Sequence, residues 1–332
     1  MMNRNFFLGI DVGSVSTNLV LIDSHTNIIK KIYLRTMGKP IDAIQNGLRD
    51  LRKDIEQDIT IAGVGTTGSG RSLADTIVGA DVVKNEITAH SIASLSVVPD
   101  VQTVIEIGGQ DPKIIIIRNG IVTDFAMNTV CAAGTGSFLD RQSSRLNISI
   151  EEFGNHALKS KNHVRIAGRC AVFAESDMIH KQQMGHRVED IIWGLCKALV
   201  RNYINNVAKG KEIKGPIVFQ GGVAANKGIK AAFEEYLKCK VIVPEHYDVM
   251  GALGAAILAK EKIERSRRYR SNFYGFDNIC TGCYNTSSFE CTGCSNLCEV
   301  IKIELNGEIL ARWGDRCGKW KLLNHSGKIS NM

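Results

Sequence analysis

Val104-Ile105-Glu106-Ile107-Gly108-Gly109-Gln110-Asp111, followed by Lys113-Ile114-Ile115-Ile116-Ile117, repeats a pattern met earlier in the chain. The first copy is Phe6-Phe7-Leu8-Gly9-Ile10-Asp11-Val12-Gly13-Ser14, followed by Leu19-Val20-Leu21-Ile22-Asp23. In each, an acidic residue ends or interrupts an apolar strand, glycines turn the chain, and a second apolar strand leaves. The interval of about 95 residues marks a duplicated domain rather than a short repeat. Glycine lets backbone N–H groups approach phosphate oxygens closely. A carboxylate beside them can hold Mg²⁺ directly or through water. Asp11 with Gly13-Ser14, and Glu106 with Gly108-Gly109-Gln110, are therefore two candidate phosphate sites able to clamp a triphosphate.

Working outward, a third strand is expected from Ile28 to Leu34 and a helix from Ile41 to Ile55, where apolar residues recur at helical spacing. Another strand spans Ile59 to Val64 and closes in Gly65-Thr66-Thr67-Gly68-Ser69-Gly70-Arg71. Helices are expected from Leu73 to Val78 and Glu86 to Leu95. A third glycine turn, Gly221-Gly222 after Ile217-Val218-Phe219-Gln220, leads into a helix from Lys227 to Leu237 and suits an adenosine. A strand at Val241 to Val243 and an alanine-rich helix from Val249 to Ile263 complete an α/β core. There is no G-x-x-x-x-G-K-[ST] loop and no G-x-G-x-x-G fingerprint at the first turn.

The chain has 332 residues, 44% hydrophobic and 23% charged, which is enough for two domains with a large core. No run approaches the roughly 18 apolar residues of a membrane helix. No signal peptide precedes the first strand, so a cytoplasmic protein without a membrane partner is expected. The net charge of +7 is modest. Its basic stretch, Glu264-Arg265-Ser266-Arg267-Arg268-Tyr269-Arg270, reads as a solvated linker, and nucleic acid is not expected as a partner.

Ten cysteines in such a protein point to metal or redox chemistry rather than disulfides. Cys131, in Cys131-Ala132-Ala133-Gly134-Thr135-Gly136, and Cys170, in Cys170-Ala171-Val172-Phe173-Ala174-Glu175-Ser176, each stand before the first turn of an expected helix. Unpaired N–H groups and the helix dipole favour thiolates and anions there. One chain supplies two such thiolates, whereas an iron–sulfur cluster usually takes four; a twofold dimer would supply the other pair. Cys196 reads as a core residue of an amphipathic helix, Cys239 as structural, and His90 as packing or helix surface. The C-terminal run Cys280-x2-Cys283-x7-Cys291-x2-Cys294-x3-Cys298, with Cys317 beyond, has metal-ligand spacing. Structural zinc and a second iron–sulfur cluster both suit it, and the redox core tips the reading weakly toward a cluster.

Taken together, Gly9-Ile10-Asp11-Val12-Gly13-Ser14, Gly108-Gly109-Gln110-Asp111, the two cysteine motifs, Gly221-Gly222-Val223-Ala224 and Gly251-Ala252-Leu253-Gly254-Ala255-Ala256 resemble the activators of 2-hydroxyacyl-CoA dehydratases. Those belong with the ATPase subunits of ATP-dependent benzoyl-CoA reductase in the BadF/BadG/BcrA/BcrD ATPase family. The resemblance implies a duplicated actin/Hsp70/sugar-kinase-like ATPase fold, two lobes around a nucleotide cleft, here followed by a small cysteine-rich tail. It implies ATP or ADP with Mg²⁺, and one [4Fe-4S] cluster per homodimer on Cys131 and Cys170. It also implies one-electron transfer to a partner dehydratase or reductase that carries its own cluster, with ferredoxin or flavodoxin as donor. By the same resemblance Asp11 and Glu106 are the magnesium- and phosphate-side acids, and Gly13, Ser14, Gly108, Gly109, Gln110, Gly221 and Gly222 the nucleotide contacts.

The boundaries expected are residues 5–100 for the first lobe, 101–263 for the second with the cluster cysteines, 264–271 for a basic linker and 272–332 for the metal-binding tail. The chain departs from the family pattern at Asn18, where a lysine is usual, at Pro112, and at Thr129-Val130 before the first cysteine. Two other readings fit parts of the pattern. A small-molecule kinase of the same superfold would use the phosphate loops but leave Cys131 and Cys170 unexplained. A nucleotide-dependent metal-binding scaffold would use the basic segment and the tail.

Overall fold

The computed structural model describes residues 5–55, 59–128, 134–168, 170–266, 270–320 and 322–323. The chain divides into two units, residues 1–86 with 251–332, and residues 87–250.

In the first unit, β1 (Asn5–Val12), β2 (Ser16–Ile22), β3 (Ile28–Arg35), α1 (Pro40–Lys53), β4 (Thr60–Thr67), α2 (Arg71–Val78) and β5 (Val82–Val83) follow in order. Their sheet has the order β3-β2-β1-β4-β5. β1 to β3 form an antiparallel meander, and β4 lies parallel to β1. Ile41, Ile44, Leu48 and Leu51 of α1, spaced by three or four, are buried in one core with Leu8, Ile10, Leu19 and Leu21 of the sheet.

The second unit holds α3 (Glu86–Val97) apart from its first residue, then β6 (Thr103–Ile107), β7 (Pro112–Arg118) and β8 (Ile121–Met127). After them come α4 (Gly136–Arg145), α5 (Ile150–Ala157), α6 (Ala171–Gln183), α7 (Val188–Asn206), β9 (Ile217–Gln220), α8 (Lys227–Leu237) and β10 (Val241–Ile242). The sheet order is β10-β9-β6-β7-β8. With β6 in the place of β1, β7 of β2, β8 of β3, β9 of β4 and β10 of β5, the two sheets have one topology, as the repeated motif predicts. Tyr203, Phe219 and Phe233 pack edge-on at the centre of this unit, with centroids 5.2 to 5.4 Å apart.

The domain boundaries differ from the sequence expectation. The helix α9 (Met250–Arg265) joins the first unit from Gly251 onward, not the second. The reason is steric. A Cβ at Gly9 of β1 would collide with the Ala252 carbonyl, and one at Gly65 of β4 with the Ala255 carbonyl, so the strand glycines admit the helix backbone. For the same reason β4 runs on through Gly65, Thr66 and Thr67 instead of closing at Val64. The basic stretch is not a free linker: α9 continues through Arg265, and the Ser271 hydroxyl and Asn272 N–H donate to the Asp81 carboxylate. Arg267, Arg268 and Tyr269 lie outside the described residues.

The cysteine-rich segment forms α10 (Phe276–Thr281) and an antiparallel sheet of β11 (Tyr284–Glu290), β12 (Glu299–Leu305), β13 (Glu308–Trp313) and β14 (Leu322–Leu323). It is docked rather than trailing. Ile279 and Ile303 are fully buried in the first unit's core, and the Gln45 amide of α1 donates to the carbonyls of Ile279 and Gly282 at 2.8 and 2.9 Å. Among the described residues no helix is long and apolar enough to cross a membrane.

Candidate functional site

Asp11 stands half-buried near the end of β1. In the sheet it is paired with Asn18 on β2 and Thr67 on β4, so the three side chains share one face. Asn18 Oδ1 and Thr67 Oγ1 are buried and find no hydrogen-bond partner among the described residues. Buried polar atoms are seldom left so, and orphans beside a carboxylate suit a hydrated cation or phosphate oxygens. The turn after Asp11 is rigid: the Gly13 N–H donates to the Ser16 carbonyl at 2.8 Å, and the Thr36 hydroxyl donates to the Gly13 carbonyl at 2.9 Å. Ser14 projects into solvent. Gly68, at φ +91°, has no room for a Cβ, which would stand 2.5 Å from Asp11 Oδ1. Arg71 closes that loop with a 3.0 Å bond to the Gly68 carbonyl.

Glu106 occupies the matching place on β6. Its strand partners are Lys113 on β7 and Gln220 on β9. A Cβ on Gly221, at φ +88°, would stand 2.8 Å from Glu106 Oε1, repeating the Asp11–Gly68 arrangement. The electrostatics differ. Glu106 and Lys113 are both about 95% buried and paired at 3.0 Å, and Lys113 also meets Asp111 at 2.7 Å. Burial pushes the Glu106 carboxyl above the usual carboxylate range, opposed by Lys113 and reinforced by Asp111. Gln220 is spent on the His90 ring at 2.9 Å and the Ser94 hydroxyl at 2.9 Å, which makes His90 a packing residue. Pro112 opens β7, a position in a strand that tolerates proline, and its carbonyl accepts from the Asn128 N–H at 3.1 Å.

The second glycine turn is tied to α4. The N–H groups of Gly136 and Ser137 donate to the carbonyls of Gly108 and Gly109, each at 2.9 Å. A Cβ on Gly136 would meet both that turn and the Val223 side chain, so the Gly108-Gly109 and Gly221-Gly222 turns converge on the start of α4. Gln110 and Gly222 are exposed. The first glycine turn belongs to the other unit, and Asp11, Gly13 and Ser14 form their own group there.

Cys170 caps the N-terminus of α6 with an extended backbone and no side-chain capping bond, partly exposed. Its thiol therefore suits ligation. Val172 and Phe173, in the next turn, are about two-thirds exposed. Cys131 lies outside the described residues, as do Thr129 and Val130. The segments on either side of the two cysteines are joined through side chains that sequence reasoning did not single out. Asn202 on α7 donates to the Gly168 carbonyl at 2.8 Å and lies against Gly134. Glu175 on α6 pairs with Arg141 at 3.0 Å and Arg145 at 2.6 Å on α4.

The tail cysteines do not form one five-ligand site. Cys283 sits beside Asn306 at one end of the β11–β12 hairpin, and Cys291 pairs with Cys298 at the other. The strand between them spans about 25 Å at roughly 3.4 Å per residue. Cys280 is turned into the α1–α10 contact, and burial raises its thiol pKa. Among the described residues, no three His, Cys, Asp or Glu side chains stand close enough to hold a metal ion as placed. Cys196 is a buried core thiol pushed up to about 12, as its helical spacing implies, whereas Cys239 is exposed and packs nothing.

Lys113 follows Glu106 by seven positions, as Asn18 follows Asp11, so aligning the two halves brings out Lys113 as the counterpart of Asn18. Thr67 carries no such signal, since its role comes only from strand pairing.

Comparison with known proteins agrees with this geometry. The profile of the BadF/BadG/BcrA/BcrD ATPase family matches residues 8–259. The (R)-2-hydroxyglutaryl-CoA dehydratase activating ATPase of Acidaminococcus fermentans is 35% identical over 262 residues, 77% of this chain and 98% of its own. The crystal structure of that organism's dehydratase component A matches with a TM-score of 0.71 at 34% identity, over 78% of this chain and 99% of the other. The 2-hydroxyisocaproyl-CoA dehydratase activator of Clostridium difficile, solved with bound ADPNP, matches with a TM-score of 0.71 at 29% identity, over 79% and 97%. The fold is the actin/Hsp70/sugar-kinase-like ATPase fold expected above. The family match ends before the C-terminal sheet.

Proposed function

Because the chain belongs to the BadF/BadG/BcrA/BcrD ATPase family, we propose that it is a cytoplasmic, ATP-driven activator that delivers single electrons to a 2-hydroxyacyl-CoA dehydratase or a related acyl-CoA reductase. The names of the relatives support this, as activators of dehydratases. The residues proposed to bind ATP with Mg²⁺ are Asp11, Gly13, Ser14, Glu106, Gly108, Gly109 and Gln110. Gly221 and Gly222 take the adenosine side. The orphaned Asn18 and Thr67 oxygens beside Asp11 fit a hydrated cation, and Asn18 offers an amide where a charged residue is usual in the family. Cys131 and Cys170 of two chains would together hold one [4Fe-4S] cluster, which would supply a low-potential electron. A ferredoxin or flavodoxin would be the electron donor, and the acceptor enzyme would carry its own cluster.

One observation carries the coupling. The carbonyls of the second phosphate loop accept hydrogen bonds from the first turn of α4, five and six residues beyond Cys131. Glu175 then links α4 to α6, the helix that Cys170 caps. A shift of the Gly108-Gly109 turn with the γ-phosphate therefore pulls on both cysteine segments. The exposed Val172 and Phe173 beside Cys170 support a second copy of the chain on that face. A coupling of about 1–3 kcal/mol between nucleotide and electron corresponds to about 40–130 mV for a one-electron couple, at about 59 mV per tenfold. Gating of contact with the acceptor contributes the remainder.

The test is anaerobic purification with iron and sulfide counted per dimer. About four of each are expected, and both are lost in Cys131→Ala and in Cys170→Ala. The reduced dimer should pass an electron to the purified acceptor only with ATP present. Colourless, iron-free monomer, or equal transfer without nucleotide, ends this reading.

A further inference from the structure

The C-terminal sheet gathers four of its cysteines at one end. Cys291 closes β11, and its N–H donates to the Cys298 carbonyl at 2.8 Å. Cys294 lies in the turn between them, held by a 3.3 Å bond from the Leu297 N–H to its carbonyl. Gly314, at φ +115°, leaves β13 so close to Glu299 that a Cβ would collide with the Glu299 carbonyl. Glu299 follows Cys298 directly, so the chain after β13 starts at this same end. The next residues fold back on it. The Trp320 N–H donates to Asp315 Oδ2 at 3.0 Å, the Cys317 thiol lies 3.6 Å from the same oxygen, and Trp320 Nε1 donates to Cys291 Sγ at 3.1 Å.

This end is prepared for negative sulfur. The Gly293 N–H and the Trp320 Nε1–H both donate to Cys291 Sγ. A C-x2-C turn whose second following N–H points back at the first sulfur wraps a single ion, and such N–H bonds orient metal-bound thiolates. Arg312 and Lys319 lie against the Trp320 ring, at 5.8 and 5.6 Å from its centroid. Arg312 Nε is a buried donor without an acceptor among the described residues. A divalent ion on four thiolates carries a net charge of −2, which these two cations offset.

We propose that Cys291, Cys294, Cys298 and Cys317 form a structural zinc site, and that Cys280 and Cys283 take no part in it. The four sulfurs do not meet at one point; Cys294 and Cys317 are exposed, which leaves their side chains room to change rotamer on binding an ion. The ion ties the chain after β13 to the β11–β12 hairpin, and so completes a sheet too small to be stable on its own. The inference does not depend on the core cluster: it concerns residues beyond the family match and a different metal.

The experiment uses the full chain, purified anaerobically, with zinc and iron measured separately. About one zinc per chain is expected in the wild type and in Cys280→Ser/Cys283→Ser. None is expected in Cys294→Ser/Cys317→Ser, with iron content unchanged throughout. Retained ATP hydrolysis reports that each variant is folded. As a second readout, cobalt(II) added to zinc-stripped chain should give a thiolate-to-cobalt charge-transfer band that Cys317→Ser abolishes. The proposal is overturned if the wild type takes up neither zinc nor cobalt, if zinc survives in Cys294→Ser/Cys317→Ser, if it disappears in Cys280→Ser/Cys283→Ser, or if iron fills the site instead.

Discussion

The acid of the first unit and the acid of the second stand on the same frame in opposite electrical settings. Each ends or nearly ends the central strand of a five-stranded sheet, and each lies over a glycine at positive φ, Gly68 or Gly221. Asp11 has neutral neighbours, Asn18 and Thr67, with unpaired oxygens. Glu106 has a buried lysine and a glutamine already engaged elsewhere. Duplication kept the strand–glycine turn geometry, while strand neighbours diverged. The first acid thereby stands among neutral strand neighbours, and the second within a buried charge network with Lys113 and Asp111. A second contrast concerns what joins the strands. β3 reaches β4 through α1, whereas β8 reaches β9 through α4 to α7, and both candidate cluster cysteines lie within that longer path.

Three experiments test this contrast. The largest effect is expected from Lys113→Met, which strands a buried carboxylate and costs about 3–5 kcal/mol of stability. Burial already raises the Glu106 pKa, so the ionised form is the penalised one. The loss should be full at high pH and shrink as pH falls through the folded-state pKa, because protonation removes the unpaired charge. Urea unfolding at pH 8 and pH 5 measures it; equal losses at both would mean that Glu106 is not the stranded group. Next, Asp11→Asn should lower ATP turnover by about 10²–10³-fold while leaving the unfolding midpoint almost unchanged. A variant that unfolds early but turns over normally would put Asp11 in a structural role. The smallest effect is expected from Gly68→Ala and Gly221→Ala, each costing about 1–3 kcal/mol for a strained backbone. Thermal melts should show similar losses; a large difference between them would break the equivalence of the two turns.

Local rules made much of this legible. Helix α8 begins and ends at the residues its apolar period predicts, and α1 buries the face that Ile41, Ile44, Leu48 and Leu51 define. The repeated strand–glycine–strand pattern foretold two sheets of one topology. The glycine turns at Gly13, Gly108 and Gly221 were readable because a turn of that kind constrains the residue types within it. Cys170 at the start of α6 was readable for the same local reason.

Other features came only from pairing across the chain. Strand register sets Thr67 and Asn18 beside Asp11, and Lys113 beside Glu106, and no local window contains both partners of Asp11. The alanine-rich composition of α9 announced close packing, yet only the collision with Gly9 and Gly65 decides which sheet receives it. Two CxxC pairs look like one metal site in sequence, but β11 holds them apart, since an extended strand cannot bring its own ends together. Sequence alone determined the strand and helix segments and their duplication, because period and backbone freedom are properties of neighbours in the chain. Tertiary structure decided which charges meet, because that depends on which strands lie side by side.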